Sequence, residues 1–397
     1  MEAVEVKPDV YWVGGIDWNL RDFHGYITQR GATYNFYLIL DEKVTLIDTV
    51  KHYLSRELVE RIKNIIDPSS IDYIVVNHVE MDHSGVLPSI LKLASKAKII
   101  TSPSGEKGLR RHYDTSSWEI KVVENEETIL IGERELTFIH LPMIHWPDSM
   151  ATYSSKDKIL FPNDTFGQHI ATDERFDDEL NWGILYEEAA KYYANIVLPY
   201  SSQVKKIPPS ILKLRFGAIA PSHGVIWHEY LDKIIEVYKR WSENKSLLKA
   251  VIVYDTMWGS TGKLALSLYS GLISRGVHTS IRNLNNTHVS DIMTDVLDAR
   301  IILIGSPTIN NSMMPTVRGF LTYLKALHPR NKIGFVFESY GWGGQAVREV
   351  EETLRGLSWD SPIESININF IPKDEDLKQV KKIGEEPAGY VLEKERR

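Results

Sequence analysis

Four potential metal ligands stand within six residues in the stretch Asn77-His78-Val79-Glu80-Met81-Asp82-His83-Ser84-Gly85. The stretch directly follows residues 73–76, a short apolar run typical of a buried strand. Loops at the carboxyl ends of strands are where α/β proteins build their sites. We therefore expect His78, Glu80, Asp82 and His83 to form a metal-binding cluster.

Three further candidate ligands, His145, Asp164 and His223, also come directly after predicted strands. Those strands cover residues 136–141, 158–161 and 218–220. A cluster of imidazoles and carboxylates with no Lys or Arg among it would be strained by charge repulsion without a cation. Seven ligands at four strand ends are enough for two metal ions.

The kind of metal follows from the charge of the ligand set. The stretch resembles the H-x-H-x-D-H motif of the metallo-β-lactamase superfamily, in which two zinc ions usually carry out hydrolysis, but Glu80 replaces the second His. Four neutral His and three carboxylates give a formal charge of −3. An additional hard, anionic ligand stabilises a trivalent state and favours iron over zinc. The substitution therefore predicts a redox centre.

Composition excludes several classes of site and partner. The 397-residue chain has no Cys, which excludes disulfides, thiolate nucleophiles, Cys-ligated zinc and a built-in rubredoxin. A net charge of −7 favours neither nucleic acid nor an anionic membrane as partner. No apolar run reaches the length of a transmembrane helix, and the acidic N-terminus is unlike a signal peptide. We therefore expect a cytoplasmic protein.

The chain is predicted to have two α/β domains, residues 1–247 and 248–397. In the first, mixed strands and helices predict packed sheets with outer helices: strands 10–13, 34–40, 44–47 and 73–76, a helix 54–66 and a hairpin 129–141. Residues 241–249 are mostly polar and are expected to form a connector. Regular alternation then predicts a doubly wound parallel sheet, with strands 251–254, 299–304 and 333–337 and helices 262–274, 317–327 and 346–356.

Three loops after the parallel strands of the second domain indicate an FMN site. The first resembles the flavodoxin phosphate loop T-x-T-G-x-T, although Trp258 stands where flavodoxins carry Thr. Hydroxyls and backbone amides at a helix N-terminus favour a phosphate there. The candidate FMN-binding residues are Thr256, Met257, Trp258, Gly259, Ser260 and Thr261 in the first loop, Ser306, Pro307, Thr308 and Asn310 in the second, and Ser339, Tyr340, Gly341, Trp342 and Gly343 in the third.

When both predicted domains are considered, the chain resembles the flavodiiron proteins, also called A-type flavoproteins. The resemblance rests on five segments: HVEMDHSG at 78–85, LPMIHWPDS at 141–149, FPNDTFGQH at 161–169, APSHGVIW at 220–227 and YDTMWGST at 254–261. It implies a metallo-β-lactamase-like αββα domain followed by a flavodoxin-like, doubly wound parallel-sheet domain.

The resemblance also implies a role for each ligand. His78, Glu80 and His145 would hold the iron nearer the flavin. Asp82, His83 and His223 would hold the other iron, and Asp164 would bridge the two. Three residues would surround the ligands, namely His24, His169 and Tyr193, of which His24 and Tyr193 are candidate proton donors.

Members of this family reduce dioxygen to water, nitric oxide to nitrous oxide, or both, with electrons that pass through FMN. The resemblance implies a separate electron donor, rubredoxin or a reduced deazaflavin coenzyme, and a head-to-tail homodimer or a dimer of dimers. The sequence does not choose between the two gases or the two donors. Two other functions stay open at this stage, a zinc hydrolase with a flavodoxin-like appendage and a plain flavodoxin-type electron carrier with an inactive metal domain.

Overall fold

The computed structural model describes residues 1–207 and 216–395. They divide into two compact units. The first comprises Met1–His24, Thr28–Tyr192 and Ser202–Tyr238, and the second comprises Gly25–Ile27, Tyr193–Ser201 and the chain from Lys239 onward. The domain boundary expected between residues 247 and 248 stays a prediction.

Short strands make up two sheets and two small ribbons in the first part of the chain. The strands are β1 (Val4–Lys7), β2 (Val10–Trp12), β3 (Gly15–Asp17), β4 (Asp22–Phe23), β5 (Tyr26–Ile27), β6 (Ala32–Tyr34), β7 (Tyr37–Ile39), β8 (Thr45–Ile47), β9 (Tyr73–Val76), β10 (Lys98–Thr101), β11 (Ile120–Val122), β12 (Thr128–Leu130), β13 (Glu135–His140), β14 (Met150–Ser154), β15 (Ile159–Phe161) and β16 (Ala218–Ile219). One sheet has the order β1-β2-β7-β8-β9-β10-β11, and the other has the order β12-β13-β14-β15-β16. The antiparallel pairing of β12 with β13 confirms the predicted hairpin.

Among the described residues up to 242, the helices are α1 (Ser55–Lys63), α2 (Met81–Ser84), α3 (Leu87–Leu93), α4 (Pro103–His112), α5 (Trp182–Tyr192), α6 (Ser201–Val204) and α7 (Leu231–Ser242). Single turns of 3-10 helix cover His52–Leu54, Pro68–Ser70, Asp177–Glu179 and Leu198–Tyr200, and a π-helical segment covers Tyr193–Val197. The helix expected over residues 54–66 is shorter than predicted, because it ends at Lys63 and Pro68 opens a separate turn capped by Asp67.

The two sheets of the first unit pack face to face. Alternate residues of each strand point to opposite faces of its sheet, so neighbouring residues belong to different cores. Ile39, Ile47 and Val75 pack against residues of the second sheet. Leu38 and Leu46, their neighbours along β7 and β8, belong to a second core that includes residues of α1, α3 and α4. The result is helices outside one sheet and a second sheet on its other side, as the fold class predicted.

The strand predicted over residues 34–40 is wrong, because the chain changes sheets in its middle. β6 pairs with β3, whereas β7 pairs with β2 and β8. Asn35 lies at the break, and its side chain forms hydrogen bonds with residues that are distant in sequence. Its Oδ1 accepts from Trp12 Nε1 at 2.8 Å, and its Nδ2 donates to the carbonyls of Pro221 and Gly224 at 3.0 and 2.7 Å.

The second unit contains the predicted doubly wound sheet. Its strands are β17 (Leu247–Tyr254), β18 (His278–Asn283), β19 (Ala299–Gly305), β22 (Ile333–Tyr340) and β23 (Ile366–Asn369), with a small hairpin of β20 (Thr308–Ile309) and β21 (Ser312–Met313). The helices are α8 (Ser260–Ser274), α9 (Val289–Asp298), α10 (Pro315–Leu327), α11 (Ala346–Gly356), α12 (Asp374–Ile383) and α13 (Glu386–Glu395). All pairings in the order β18-β17-β19-β22-β23 are parallel.

The connector expected over residues 241–249 is wrong. Trp241 belongs to α7 and is 1% exposed, and its Nε1 donates to Asp298 Oδ1 at 3.0 Å. Residues from Leu247 onward already lie in β17. Only a turn remains, and it contains Asn244 in the left-handed conformation that commonly ends helices. Among the described residues, no helix is both long and apolar enough to cross a bilayer.

Leu303 should contribute strongly to the stability of the second unit, because it is fully buried on the central strand β19. Leu303→Ala removes buried methyl groups and leaves a cavity, and we expect a cost of about 2–5 kcal/mol in the free energy of unfolding. Leu266→Ala on α8 is the matched control, because Leu266 is 57% exposed, and it should change stability by about 0.5 kcal/mol or less. Urea unfolding followed by circular dichroism compares the two. Equal midpoints would contradict the assigned core.

Candidate functional site: a two-group metal centre and a flavin cavity

The seven predicted ligands all lie just beyond strand ends of the first unit. Three loops, after β13, β15 and β16, contribute one ligand each. The loop after β9 contributes the other four, and two of those stand in the short helix α2, which keeps them on consecutive positions of one turn. The structure brings all seven together in two groups, His78, Glu80, His145 and Asp164 in one and Asp82, His83 and His223 in the other.

Asp164 lies between the two groups and faces each with a different oxygen. Its Oδ2 is 3.2 Å from His145 Nε2 and 3.6 Å from His78 Nε2. Its Oδ1 is 3.1 Å from His83 Nε2 and 3.3 Å from His223 Nε2. A carboxylate with one oxygen toward each of two ligand groups has the geometry of a bridging ligand.

The outer carboxylates complete the two groups in the same way. Glu80 Oε2 lies 3.3 Å from His78 Nε2 and 3.4 Å from His145 Nε2. Asp82 contacts the other group, with Oδ1 3.4 Å from His83 Nε2 and Oδ2 3.4 Å from His223 Nε2. Each group therefore gathers two imidazoles and one carboxylate around Asp164, a donor set suited to iron, zinc or manganese.

Several ligand oxygens are buried and form no hydrogen bond of good geometry among the described residues, although ligand imidazole nitrogens lie 3.2–3.4 Å from them. They include both oxygens of Asp82 and Oδ2 of Asp164, and these two residues are 3% and 2% exposed. An unsatisfied buried carboxylate oxygen is costly unless a cation is bound. The residues present therefore fit a pair of metal ions.

The ionisation of the metal-free site is shifted by the pairing of its own groups. Burial lowers the pKa of His145, but its bonds to Asp164 and Glu80 outweigh that effect and raise it to about 9. For His223, burial acts the same way, and Asp164 and Asp82 raise the pKa to about 9. Burial raises the pKa of Asp164, yet the neighbouring histidines hold it well below its ordinary value.

Two of the ligand imidazoles are oriented by bonds from their second nitrogen. His78 Nδ1 lies 2.9 Å from Asp148 Oδ2, which also accepts the backbone N–H of Val79 at 2.8 Å. His223 Nδ1 lies 2.9 Å from the carbonyl of Thr33. Such contacts fix the ring so that Nε2 is presented to the metal. The sequence analysis missed Asp148, although it stands only three residues after His145 in a segment already singled out.

A buried aspartate, Asp48, ties two ligand loops together. Its Oδ1 accepts the backbone N–H of Asn77 at 2.7 Å, and its Oδ2 accepts from the side chains of Asn77 and Asn163 at 3.0 and 3.3 Å. Asn77 immediately precedes His78, and Asn163 immediately precedes Asp164. Asp48 therefore fixes the distance between the loop that carries His78 and the loop that carries Asp164.

The three residues expected to surround the ligands, His24, His169 and Tyr193, differ in exposure and in their contacts. The His24 Nε2 atom lies 2.9 Å from Glu80 Oε1, and its side chain is 72% exposed. His169 is buried with its ring 4.8 Å from that of His223. The Tyr193 hydroxyl pairs with Ser201 Oγ at 3.0 Å, and its ring packs on Trp241. Proton donation by His24 and Tyr193 stays a prediction.

Tyr192, which the sequence analysis missed, is the tyrosine of this segment that contacts the ligands. Burial, followed by the charges of Asp164 and Asp82 and a hydrogen bond to Asp164, raises its pKa well above the ordinary value. Its ring lies 5.9 Å from that of His223. Adjacent tyrosines at the junction of α5 with a π-helical segment cannot be told apart by sequence spacing, because the helical period changes there.

A cavity of about 580 Å³ opens among the predicted flavin loops of the second unit. Its lining includes most of the predicted residues, namely Thr256, Met257, Trp258, Ser260, Pro307, Thr308, Asn310, Ser339, Tyr340, Gly341, Trp342 and Gly343. Ser260 is the first residue of the 15-residue helix α8, so backbone N–H groups of a helix N-terminus face this end of the cavity. Its size suits a flat, drug-sized ligand.

Three predicted flavin residues do not line the cavity but shape its loops. Thr261 Oγ1 pairs with Ser339 Oγ at 2.8 Å, and both residues are buried. The Ser306 hydroxyl donates to the carbonyl of Pro307 at 2.8 Å. Gly259 has φ +85° as the residue before α8, a conformation that favours glycine. The lining also includes Asn311, Phe370 and Ile371, which the sequence analysis missed.

Metal uptake should be coupled to proton release. With pKa values of about 9, His145 and His223 hold protons at neutral pH in the metal-free chain, and a metal ion must displace them. Affinity for Fe(II) should therefore rise with pH up to about 9, by about tenfold per pH unit for each displaced proton. Anaerobic titration at pH 6.5 and 7.5 with a pH indicator measures both. His145→Asn should release one proton fewer, and uptake without proton release would contradict this account.

Comparisons with known proteins agree with both halves of the molecule. A family described as ODP family beta lactamase matches residues 32–224, and the flavodoxin family matches residues 252–384. A nitric oxide reductase of Moorella thermoacetica is 43% identical over 99% of this chain and 100% of its own length. A rubredoxin-oxygen oxidoreductase of Megalodesulfovibrio gigas is 40% identical over 96% of each chain.

A solved structure is similar to this chain over nearly all of its length. The crystal structure of the flavodiiron protein from Giardia intestinalis is 33% identical to this chain, with a TM-score of 0.96 over 99% of this chain and 97% of that one. Matches of this identity and coverage, together with two ligand groups around Asp164 and a cavity among flavodoxin-type loops, establish the relationship. The chain belongs to the flavodiiron protein family.

Proposed function

We propose that the chain is an oxidoreductase that reduces dioxygen to water, nitric oxide to nitrous oxide, or both, at two non-haem irons, with electrons supplied through FMN. The observation that carries the proposal is Asp164, whose two oxygens face two separate ligand groups. Relatives named nitric oxide reductase and rubredoxin-oxygen oxidoreductase support it. Neither name supports the hydrolase alternative.

Each ligand group suits one iron, and together they suit a reaction that needs several electrons at once. The two ligand groups would hold two irons that could supply several electrons together, and the cavity loops would hold FMN, whose chemistry allows single-electron steps. Glu80 adds an anionic oxygen to the first group and favours the trivalent state. His24 is bonded to Glu80 and exposed, so it suits the delivery of protons from solvent.

The electron donor is proposed to be a separate molecule, rubredoxin or a reduced deazaflavin coenzyme. The name of the Megalodesulfovibrio gigas relative supports rubredoxin. The chain has no Cys and so cannot hold a rubredoxin iron of its own. A cytoplasmic location stays a prediction.

Loss of Asp164 should abolish the metal centre without affecting the flavin. Asp164→Ala removes the anionic oxygens between the two groups, so the cations would face each other with less compensation. We expect iron content and turnover of both gases to fall at least tenfold, while FMN content is unchanged. Asp114→Ala, at an exposed carboxylate, is the control. Side-by-side oxygen and nitric oxide turnover also identifies the preferred gas, and mainly zinc with full activity would contradict the di-iron proposal.

We propose in addition a head-to-tail homodimer, in which the flavin of one chain serves the irons of its partner. Two large aromatic residues at the flavin cavity support this proposal, because Trp258 is 95% exposed and Trp342 is 93% exposed. Monomeric proteins rarely expose such residues together at a site, and a second copy would cover them. A two-fold dimer creates two equivalent sites at once.

Complementation tests the dimer. Asp164→Ala inactivates the metal centre, and a triple Ala change at Thr256, Ser260 and Thr261 inactivates the flavin site. In a trans arrangement, each mixed dimer holds one site with both halves intact, so random pairing should restore roughly a quarter of wild-type turnover. In a cis arrangement no site is complete. Verified mixed dimers without turnover would contradict the head-to-tail proposal.

A further inference from the structure

The second and third loops of the flavin cavity are joined beneath its wall by a buried acid, Glu338. This residue lies near the end of β22, is 0% exposed and directly precedes the cavity residue Ser339. Its Oε2 accepts the hydroxyl of Thr308 at 2.8 Å, and Thr308 lines the cavity in the second loop. Glu338 is therefore hydrogen-bonded to one lining residue, Thr308, and adjacent in sequence to another, Ser339.

The neighbours of Glu338 are donors, so the hydrogen-bond pattern suits a carboxylate. The backbone N–H of Ala346 donates to Thr308 Oγ1 at 3.1 Å, which leaves the Thr308 proton for Glu338. Ala346 is the first residue of α11, and the N-terminus of a helix stabilises negative charge. Burial raises the pKa of Glu338 above its ordinary value, and hydrogen bonds from Thr308 and from the backbone of Val347 and Ala346 offset only part of that rise.

The other carboxylate oxygen fills the space beside Gly344 in the third loop. Oε1 has no hydrogen-bond partner among the described residues. A Cβ on Gly344 would lie 2.5 Å from this oxygen, whereas the next atoms, in Tyr340, are at an ordinary 3.5 Å. A methyl group added at Gly344 would therefore have to displace the Glu338 carboxyl, while it would meet no other atom closer than 3.5 Å.

We propose that Glu338 is a positioning residue for FMN that also sets its reduction potential. By holding Thr308 against the start of α11, it fixes the two loops expected to flank the flavin ring. Its buried negative charge opposes the charge that a reduced flavin gains, because charges interact strongly away from water. The bound flavin is thereby kept a stronger electron donor. This inference rests on the proposed function, specifically on FMN occupying the cavity.

The effect of charge is tested with Glu338→Gln, which keeps the size and one acceptor oxygen. FMN affinity should stay within about threefold of wild type. The ratio of affinities for reduced and oxidised FMN should rise about tenfold, which moves the midpoint potential of the two-electron couple positive by about 30 mV. Dye-equilibrated anaerobic reduction of the full-length holoprotein measures it. Glu352→Gln, at an exposed acid on α11, is the control and should leave the potential unchanged.

The effect of position is tested by a double-mutant cycle on FMN affinity. Gly344→Ala should displace the Glu338 carboxyl and weaken FMN binding about tenfold, as expected for directly contacting residues. Glu338→Ala should weaken binding by a similar factor. In the double variant the added methyl has space, so Gly344→Ala should then cost less than about twofold. Gly356→Ala, on α11 with no atom near its Cβ, is the control.

Each outcome points to one proposal. Wild-type chain that fails to bind FMN would overturn the proposed function itself. If FMN binds but Glu338→Gln leaves the potential unchanged, the charge is not felt by the flavin and the inference is wrong. Additive losses for Gly344→Ala and Glu338→Ala would show that the two positions are not coupled, which also overturns it. Thermal unfolding of the apoproteins separates these effects from misfolding.

Discussion

The first unit depends on one electrostatic constraint, which is that buried carboxylates and imidazoles need cations between them. Asp82 and Asp164 are almost fully buried, and leaving such charges uncompensated costs several kcal/mol each. Protonated His145 and His223 compensate part of this charge in the metal-free chain, and bound metal ions would compensate it more fully and so would add to the stability of the fold. The packed sheets bring ligands from four strand ends to one point, and Asp48 links two of those loops by hydrogen bonds.

The flavin cavity is organised differently, because FMN is a large ligand that is bound mainly by a cavity of matching shape, whereas the metal centre is organised by charge compensation. Hydroxyl pairs and one buried acid hold the three loops, as in the bonds Thr261–Ser339 and Thr308–Glu338. A preorganised cavity lowers the cost of binding since little ordering remains to be done. The aromatic residues at its mouth, Trp258 and Trp342, are almost fully exposed.

Sequence patterns predicted what depends on local order and missed what depends on distant partners. The ligand types after β9 and the second-unit alternation were evident, since spacing and strand ends are local features. The strand over residues 34–40 was wrong because Asn35 bonds residues more than 180 positions away. Asp148 and Tyr192 were missed for the same reason, because each acquires its role from a partner that only the fold brings near.

The two acids with proposed electronic roles act on the same electron path in compatible directions. Glu80 favours trivalent iron, which makes the reduced irons better donors to the gas but harder to reduce. A flavin of ordinary potential would then have less driving force toward them. A buried carboxylate at position 338 makes the reduced flavin a stronger donor and restores that driving force. Glu80 at the metal centre and Glu338 at the flavin cavity would therefore shift the two potentials in the same direction, so that electron transfer from flavin to iron stays favourable.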